Sequence, residues 1–350
     1  MSSCGIIKVF KPYQTRKKDT FMHLQYNTEV EKSQVVEPEF LRDISPSGRE
    51  RPWHVRKLEN QYISAAYEEV NKAKSERLTQ CAQSLLFVRK DGGGLKLKQA
   101  NFCHVRLCPI CAWRRSLKTA AHVNKIIQAA EPEKLEYIMV TFTLRNCDPD
   151  KLGQSLDTLL NGYKNLVKRR RYQEAWVGWY RGVEVTHNLK DDTFHPHIHA
   201  LVGVKPSYFK GRKYVRQEDL TQDWREVCKL DYNPIVDIRR VKRLNGRGAT
   251  TRGDIIKAVN EVAKYTTKAG DIINFDDWDM TTDTVRLLDR AFDKRRFIAF
   301  GGLFKELHKA LNLGDEEDGD LLHVGDGDDD SSQDDELLFW WHTGYCRYVR

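Results

Sequence analysis

Phe194-His195-Pro196-His197-Ile198-His199-Ala200-Leu201-Val202 places three histidines at alternate positions ahead of an apolar run. In a β-strand the period of two puts all three imidazoles on one face and Ile198 and Ala200 on the other. Two neutral imidazoles two residues apart can hold one divalent cation without bending the backbone. Trp176 to His187 reads as a second strand, joined to the first by the turn Asn188-Leu189-Lys190-Asp191-Asp192. The two should pair as an antiparallel hairpin, and that pairing lets Glu184 approach the histidine face. A carboxylate beside two imidazoles makes a three-ligand site with open positions, the layout of a catalytic metal, Mg²⁺ or Mn²⁺ where the substrate supplies phosphate oxygens. Asp191, Asp192 and His187 remain alternative third ligands.

Working outward, Tyr137 to Leu144 reads as a buried strand rich in β-branched and aromatic residues. Leu152, Leu156, Leu159, Leu160, Tyr163 and Leu166 recur at helical spacing. That helix runs into Lys168-Arg169-Arg170-Arg171, a basic patch suited to phosphate. Val215 to Leu230 reads as a helix and Pro234 to Lys242 as a strand carrying Arg239 and Arg240. Asp254 caps a further helix bearing Glu261-Val262-Ala263-Lys264-Tyr265-Thr266-Thr267-Lys268, where Glu261, Tyr265 and Lys268 share a side. Thr281 to Leu313 reads as mostly helical, broken at Phe297 to Gly302.

Upstream, Cys108-Pro109-Ile110-Cys111 forms a knuckle in which two thiolates can reach one tetrahedral ion, with Cys103 five residues before it and Cys81 across an expected glycine-turn hairpin. The pattern predicts a four-cysteine zinc ribbon with structural Zn²⁺, His104 standing in if Cys81 points elsewhere. Arg114, Arg115 and Lys118 follow within about one turn of the next helix, where a zinc-braced element can lay them along a phosphate backbone.

Composition narrows the partner. The net charge of +8 conceals an acidic run from Asp315 to Glu336 with twelve carboxylates and no Lys or Arg. Before it stand 56 basic and 38 acidic residues, a balance of +18, which points to a polyanion. No apolar run has the roughly 18–20 residues of a membrane span, and the start lacks a signal-peptide pattern, so a cytoplasmic protein is expected. The eight cysteines suit a reducing compartment with a metal site. The acidic run is too charged and glycine-rich to fold alone; it either mimics DNA or recruits a helicase. Leu337-Leu338-Phe339-Trp340-Trp341 stands as an isolated aromatic cluster.

Four motifs together resemble the rolling-circle replication initiators of small bacterial plasmids, within the HUH endonuclease superfamily. They are Cys108-Pro109-Ile110-Cys111-Ala112-Trp113-Arg114-Arg115, Thr141-Phe142-Thr143-Leu144, His195-Pro196-His197-Ile198-His199 and Glu261-Val262-Ala263-Lys264-Tyr265, with Phe300-Gly301-Gly302-Leu303-Phe304 also similar. The resemblance covers about Cys81 to Leu313. It implies an α+β fold, an antiparallel central sheet flanked by helices (HUH/ferredoxin-RRM-like), here with a small zinc-ribbon-like module. It implies His197 and His199 as the metal pair, Glu184 as third ligand, His195 behind the metal or facing DNA, and Tyr265 as the nucleophile. Glu261 is implied as the residue that activates water for termination, a second tyrosine being the open alternative. Lys264 or Lys268 would stabilise developing charge. The implied partners are single- and double-stranded origin DNA and a host helicase, single-strand binding protein and DNA polymerase, with a homodimer left open. A relaxase or transposase of the same superfamily, or a non-enzymatic zinc-dependent regulator, are the rival readings. The expected division is 1–75 of unread role, 76–130 cysteine module, 131–275 catalytic domain, 276–313 helical extension, 314–336 acidic disordered segment and 337–350 aromatic tail.

Overall fold

The computed structural model describes residues 37–45, 47–90, 94–241, 252–263, 266–324 and 336–350. The chain divides into two compact units, one of Met1–His54, Ala82–Ala100 and Ser331–Arg350, the other of Val55–Cys81 and Asn101–Asp330.

The larger unit is built on a five-stranded antiparallel sheet in the order β6-β3-β5-β4-β7. Its strands are β3 (Glu136–Thr143), β4 (Trp176–Asn188), β5 (Thr193–Val204), β6 (Val236–Arg240) and β7 (Ile298–Gly302). Strand β5, which carries the histidines, lies at the centre between β3 and β4. Its apolar face presents Ile198, Ala200 and Val202, all fully buried, toward α4 (Leu152–Leu166) and α6 (Gln217–Cys228). There Phe142 of β3 meets Tyr163 of α4 with ring centroids 5.7 Å apart and Trp224 of α6 at 4.8 Å. The buried stripe Leu152, Leu156, Leu159, Tyr163 and Leu166 of α4 is the helical periodicity visible in the sequence. The opposite face is half covered. Tyr137, Tyr180 and Leu201 pack there against Val123, Ile126 and Ile127 of α3 (Pro109–Ala129), Val259 and Val262 of α7 (Arg252–Val262) and Phe304 of α9 (Leu303–Ala310).

Three elements of this unit differ from the sequence reading. The sequence pattern allows one helix over Glu59 to Leu78; the structure has two, α1 (Trp53–Val70) and α2 (Lys72–Gln80), because Asn71 turns extended and caps α2 by accepting from Lys74 N–H at 3.1 Å. The break at Phe297–Gly302 is the edge strand β7 between α8 (Trp278–Phe292) and α9. A Cβ on Gly301 would lie 2.1 Å from Trp179, and Gly302 has φ +54°, so the glycine pair permits close pairing with β4 and the left-handed turn into α9. Residues 314–324, expected within a disordered acidic segment, are instead hydrogen-bonded onto α3 and β7. Arg115 Nε donates to Glu317 O (2.8 Å), Lys118 Nζ to Asp315 O (2.8 Å), and Phe297 N to Glu317 Oε1 (2.6 Å).

The smaller unit is a four-stranded antiparallel sheet, β2-β1-β8-β9, of β1 (Ser84–Arg89), β2 (Leu95–Ala100), β8 (Glu336–His342) and β9 (Arg347–Val349). The expected hairpin is present as β1 and β2, but it is not the frame of a zinc ribbon. It pairs with β8 and shares a core in which Phe87 meets Trp53 at 6.1 Å and Phe339 at 6.2 Å. The aromatic cluster 337–341 is therefore a sheet strand, its Leu337, Phe339 and Trp341 buried and its Leu338 and Trp340 outside. No helix among the described residues is long and apolar enough to cross a membrane.

Truncating Phe142, which is fully buried between two aromatic rings, should cost about 3–5 kcal/mol. Denaturant unfolding of Phe142→Ala against the unaltered protein measures this; a loss under about 1 kcal/mol would mean the ring cluster is not the core of this face.

Candidate metal centre

Strand register builds the site. Glu184 of β4 stands directly opposite His197 of β5, and Gly182 opposite His199. On the other flank Thr143 faces His197 and Thr141 faces His199. Because all of these positions share one face, the two imidazoles and the carboxylate converge with no loop in between. Glu184 Oε2 lies 3.5 Å from His197 Nε2 and 3.3 Å from His199 Nε2. These separations match ligand pairs around one divalent ion at bond lengths of about 2.0–2.2 Å.

The far ring nitrogens are held. His197 Nδ1 is 3.1 Å from the His195 carbonyl, which only accepts, so Nδ1 donates there and Nε2 is the nitrogen turned toward Glu184. His199 Nδ1 pairs with Thr141 Oγ1 at 3.1 Å. Ligating histidines are oriented in this way when their second nitrogen has a fixed partner. Burial by itself would raise the Glu184 pKa, but the two imidazoles and the Lys268 charge outweigh it, and the carboxyl is held well below its ordinary range. His195 stacks on His197 at 5.1 Å and is not among the three converging groups. The alternative third ligands are elsewhere: His187 bonds Asp192 Oδ1 (2.8 Å) and stacks on Phe194, while Asp191 accepts from Asn188.

Helix α7 reaches this site at its C-terminal end. The Val262 carbonyl accepts from Tyr180 Oη at 3.3 Å, and a Cβ on Gly182 would lie 3.0 Å from that carbonyl oxygen. Val185 N donates to Thr266 O at 2.7 Å, and Lys268 Nζ is 3.2 Å from Glu184 Oε1. The Glu184 charge, ahead of an opposing burial effect, raises the Lys268 pKa. Glu261 lies exposed on α7. Lys264 and Tyr265 lie outside the described residues. Gly182 and the Thr266 carbonyl were not singled out in the sequence, and Thr141 stood there only as part of the Thr141–Leu144 motif, although Thr141 and Thr143 alternate with Phe142 and so already mark a polar face.

The four cysteines also converge, from the end of α2, the 101–107 loop and the start of α3. Cys81 Sγ is 3.6 Å from Cys108 Sγ and 3.7 Å from Cys111 Sγ, and Cys103 Sγ is 3.7 Å from Cys111 Sγ. A tetrahedron with Zn–S bonds of about 2.3 Å has edges of about 3.8 Å. All four are buried, and N–H groups of Cys103 and Asn60 donate to Cys81 Sγ and Cys108 Sγ at 3.4 Å each, as thiolates require. Burial opposes ionisation of Cys108, yet hydrogen bonds from the other three thiols win and hold it well below the ordinary thiol range. His104 is exposed, so Cys81 needs no substitute.

The basic residues fare differently. Arg114 is fully buried, donating to the carbonyls of Leu321 (2.9 Å) and Leu322 (2.8 Å). With Arg115 and Lys118 it holds the 315–322 segment, so the expected phosphate stripe on α3 is engaged inside the protein. Arg169 pairs with Asp223 and Glu226, Arg171 with Asp219 and Asp223, Arg239 with Asp237, and Arg240 with Glu136. Arg170, 91 % exposed, pairs only on the surface with Glu174.

A central strand bearing two imidazoles opposite a carboxylate, beside a buried tetrathiolate cluster, describes a protein with two potential metal sites on an antiparallel sheet. Residues 94–349 match the replication protein family, and the chain belongs to that family. It is similar to a protein rep of Bacillus amyloliquefaciens, 39 % identical across 88 % of this chain and 96 % of that one. A protein rep of a Bacillus species is 41 % identical across 72 % and 85 %, and one of Streptococcus pneumoniae 36 % across 83 % and 88 %. No solved structure matches the chain. The resemblance read from the four motifs is thereby borne out as to family.

Proposed function

We propose that this protein initiates rolling-circle replication of a plasmid by nicking one strand at the origin. The observation that carries the reading is the convergence of Glu184, His197 and His199, with the chain on both sides of Tyr265 tied to the same strand through Val262 and Thr266. A divalent ion, Mg²⁺ or Mn²⁺, held by Glu184, His197 and His199 would supply polarisation of the scissile phosphate. A phenol with an ordinary pKa near 10 needs such help as a nucleophile. The Tyr265 hydroxyl attacks phosphorus, forming a 5′-phosphotyrosine and releasing a 3′-hydroxyl that primes synthesis; the phenolic proton leaves to solvent or a neighbouring base. Lys268, already beside Glu184, counters charge on the phosphate oxygens. The covalent bond conserves the phosphodiester for rejoining. Glu261 directs water at a phosphodiester after one round, so the protein is not held in repeated rejoining.

The nicked strand must be unpaired at the cut, since the phosphate has to enter a site lined by β4 and β5; an extruded hairpin loop meets that need. Among the basic candidates, Arg170 and Arg239 have the solvent access that flanking duplex phosphates require, whereas Arg114 does not. Structural Zn²⁺ in the four thiolates would tie α2 to α3, a closed shell with no position for substrate.

Tyr265→Phe should abolish the covalent adduct with a labelled single-stranded origin oligonucleotide in a denaturing gel; an undiminished adduct sinks the assignment. Glu261→Ala should nick once yet release few closed circles. Thr141→Val should raise the Mn²⁺ concentration needed for half-maximal cleavage about 10–100-fold, because His199 loses its orienting partner. Cys108→Ser should remove one equivalent of tightly bound zinc and lower the melting temperature; unchanged zinc content would rule the tetrathiolate out as its site.

A further inference from the structure

A second trio of metal-ligating side chains lies away from both sites already described. His122 of α3, His308 of α9 and Glu316 of the 314–324 segment place one ligand atom each within 4.8 Å of one another. His122 Nδ1 is 2.9 Å and His308 Nε2 2.7 Å from the same oxygen, Glu316 Oε1. The imidazole rings approach at 5.9 Å, and His122 and Glu316 are buried. We propose that these three residues form a binding site for a borderline first-row divalent cation, Zn²⁺ foremost, that pins the 314–324 segment to α3 and α9.

Chemistry favours such an ion. Two imidazoles and a carboxylate from three separate elements are the donor set that zinc takes in three-ligand sites. A cation at the centre compensates the burial of the Glu316 carboxylate. The composition parallels Glu184, His197 and His199: there Lys268 faces the carboxylate, and here Lys118 does, one turn before His122 on α3. Accommodating bonds of about 2.0–2.2 Å requires the three atoms to separate by about 0.5 Å from hydrogen-bond distance. Glu316 can make that movement because it belongs to a connecting segment rather than to a strand or helix. Each imidazole must present a lone pair to the ion, so its proton resides on the other nitrogen, His122 Nε2 and His308 Nδ1.

What the ion would secure is specific. The segment it anchors carries Glu317, whose carboxylate accepts from Phe297 N and Ile298 N (2.6 and 3.0 Å) at the start of β7. Strand β7 pairs with β4, the strand bearing Glu184. A metal at Glu316 would therefore brace the edge of the sheet that carries the first trio.

The test uses the full chain, dialysed against micromolar Zn²⁺, with bound metal counted by mass spectrometry. His308→Gln and Glu316→Gln should each hold one equivalent fewer than the unaltered protein. His199→Gln should lose a different equivalent, and the His199→Gln/His308→Gln pair should lose two. Zinc should also slow hydrogen exchange across 314–324 in the unaltered protein and not in His308→Gln. Equal metal content in His308→Gln, Glu316→Gln and the unaltered protein, with exchange insensitive to zinc, would show a hydrogen-bonded trio only and overturn the proposal. Circular dichroism confirms that each variant is folded; the His308 side chain is 20 % exposed against 4 % for Glu316, so its replacement by glutamine is the milder of the two.

Discussion

The antiparallel register of β4 against β5 is the constraint from which the rest of the larger unit follows. Because Glu184 faces His197 and Gly182 faces His199, a one-residue slip of β5 would turn both imidazoles into the core and Ile198 outward, away from Glu184. The apolar face prevents it, since Phe142, Ile198 and Val202 are fully buried beneath α4 and α6. The energy that fixes how Glu184, His197 and His199 converge thus comes from the opposite side of the sheet. A polar trio of this kind contributes little to stability itself and is held in place by aromatic packing behind it.

The missing side chain at Gly182 has a part in the same arrangement. It leaves room for the Val262 carbonyl against β4, and Tyr180 fastens it there. Helix α7 therefore terminates on the strand that carries Glu184, and the chain resumes with Thr266 bonded one residue further along that strand, at Val185.

Much of this was legible in the sequence because the signals were periodic. The alternation His195, His197, His199 and the stripe Leu152 to Leu166 each state a face directly, and the hairpin turn at 188–192 brought Glu184 into range. The cysteine cluster was legible by count and spacing, but not its frame. The ribbon was inferred from the nearest hairpin, and β1 is instead paired with a strand from the far end of the sequence, which local pattern cannot disclose. Strand β8 escaped because its outward positions, Leu338 and Trp340, are as apolar as its inward ones, erasing the alternation. Arg114, Arg115 and Lys118 misled for a related reason: a basic helix face looks the same whether its partner is a phosphate or the carbonyls of Leu321, Leu322, Glu317 and Asp315. Charge reports demand for acceptors and not where they come from.

The discontinuity of the smaller sheet has a consequence for how the protein is made. Leu85 pairs with Phe339, 254 positions later, and the Asn101–Asp330 part of the larger unit lies between them in the sequence. During synthesis β1 and β2 emerge early with one edge unpaired and must wait for β8, while the intervening chain can collapse first. Loop-closure entropy grows only slowly with length, so the final pairing carries a modest thermodynamic penalty. The delay is the larger burden: an exposed edge bearing Leu85 and Phe87 is an invitation to pair with a neighbouring nascent chain.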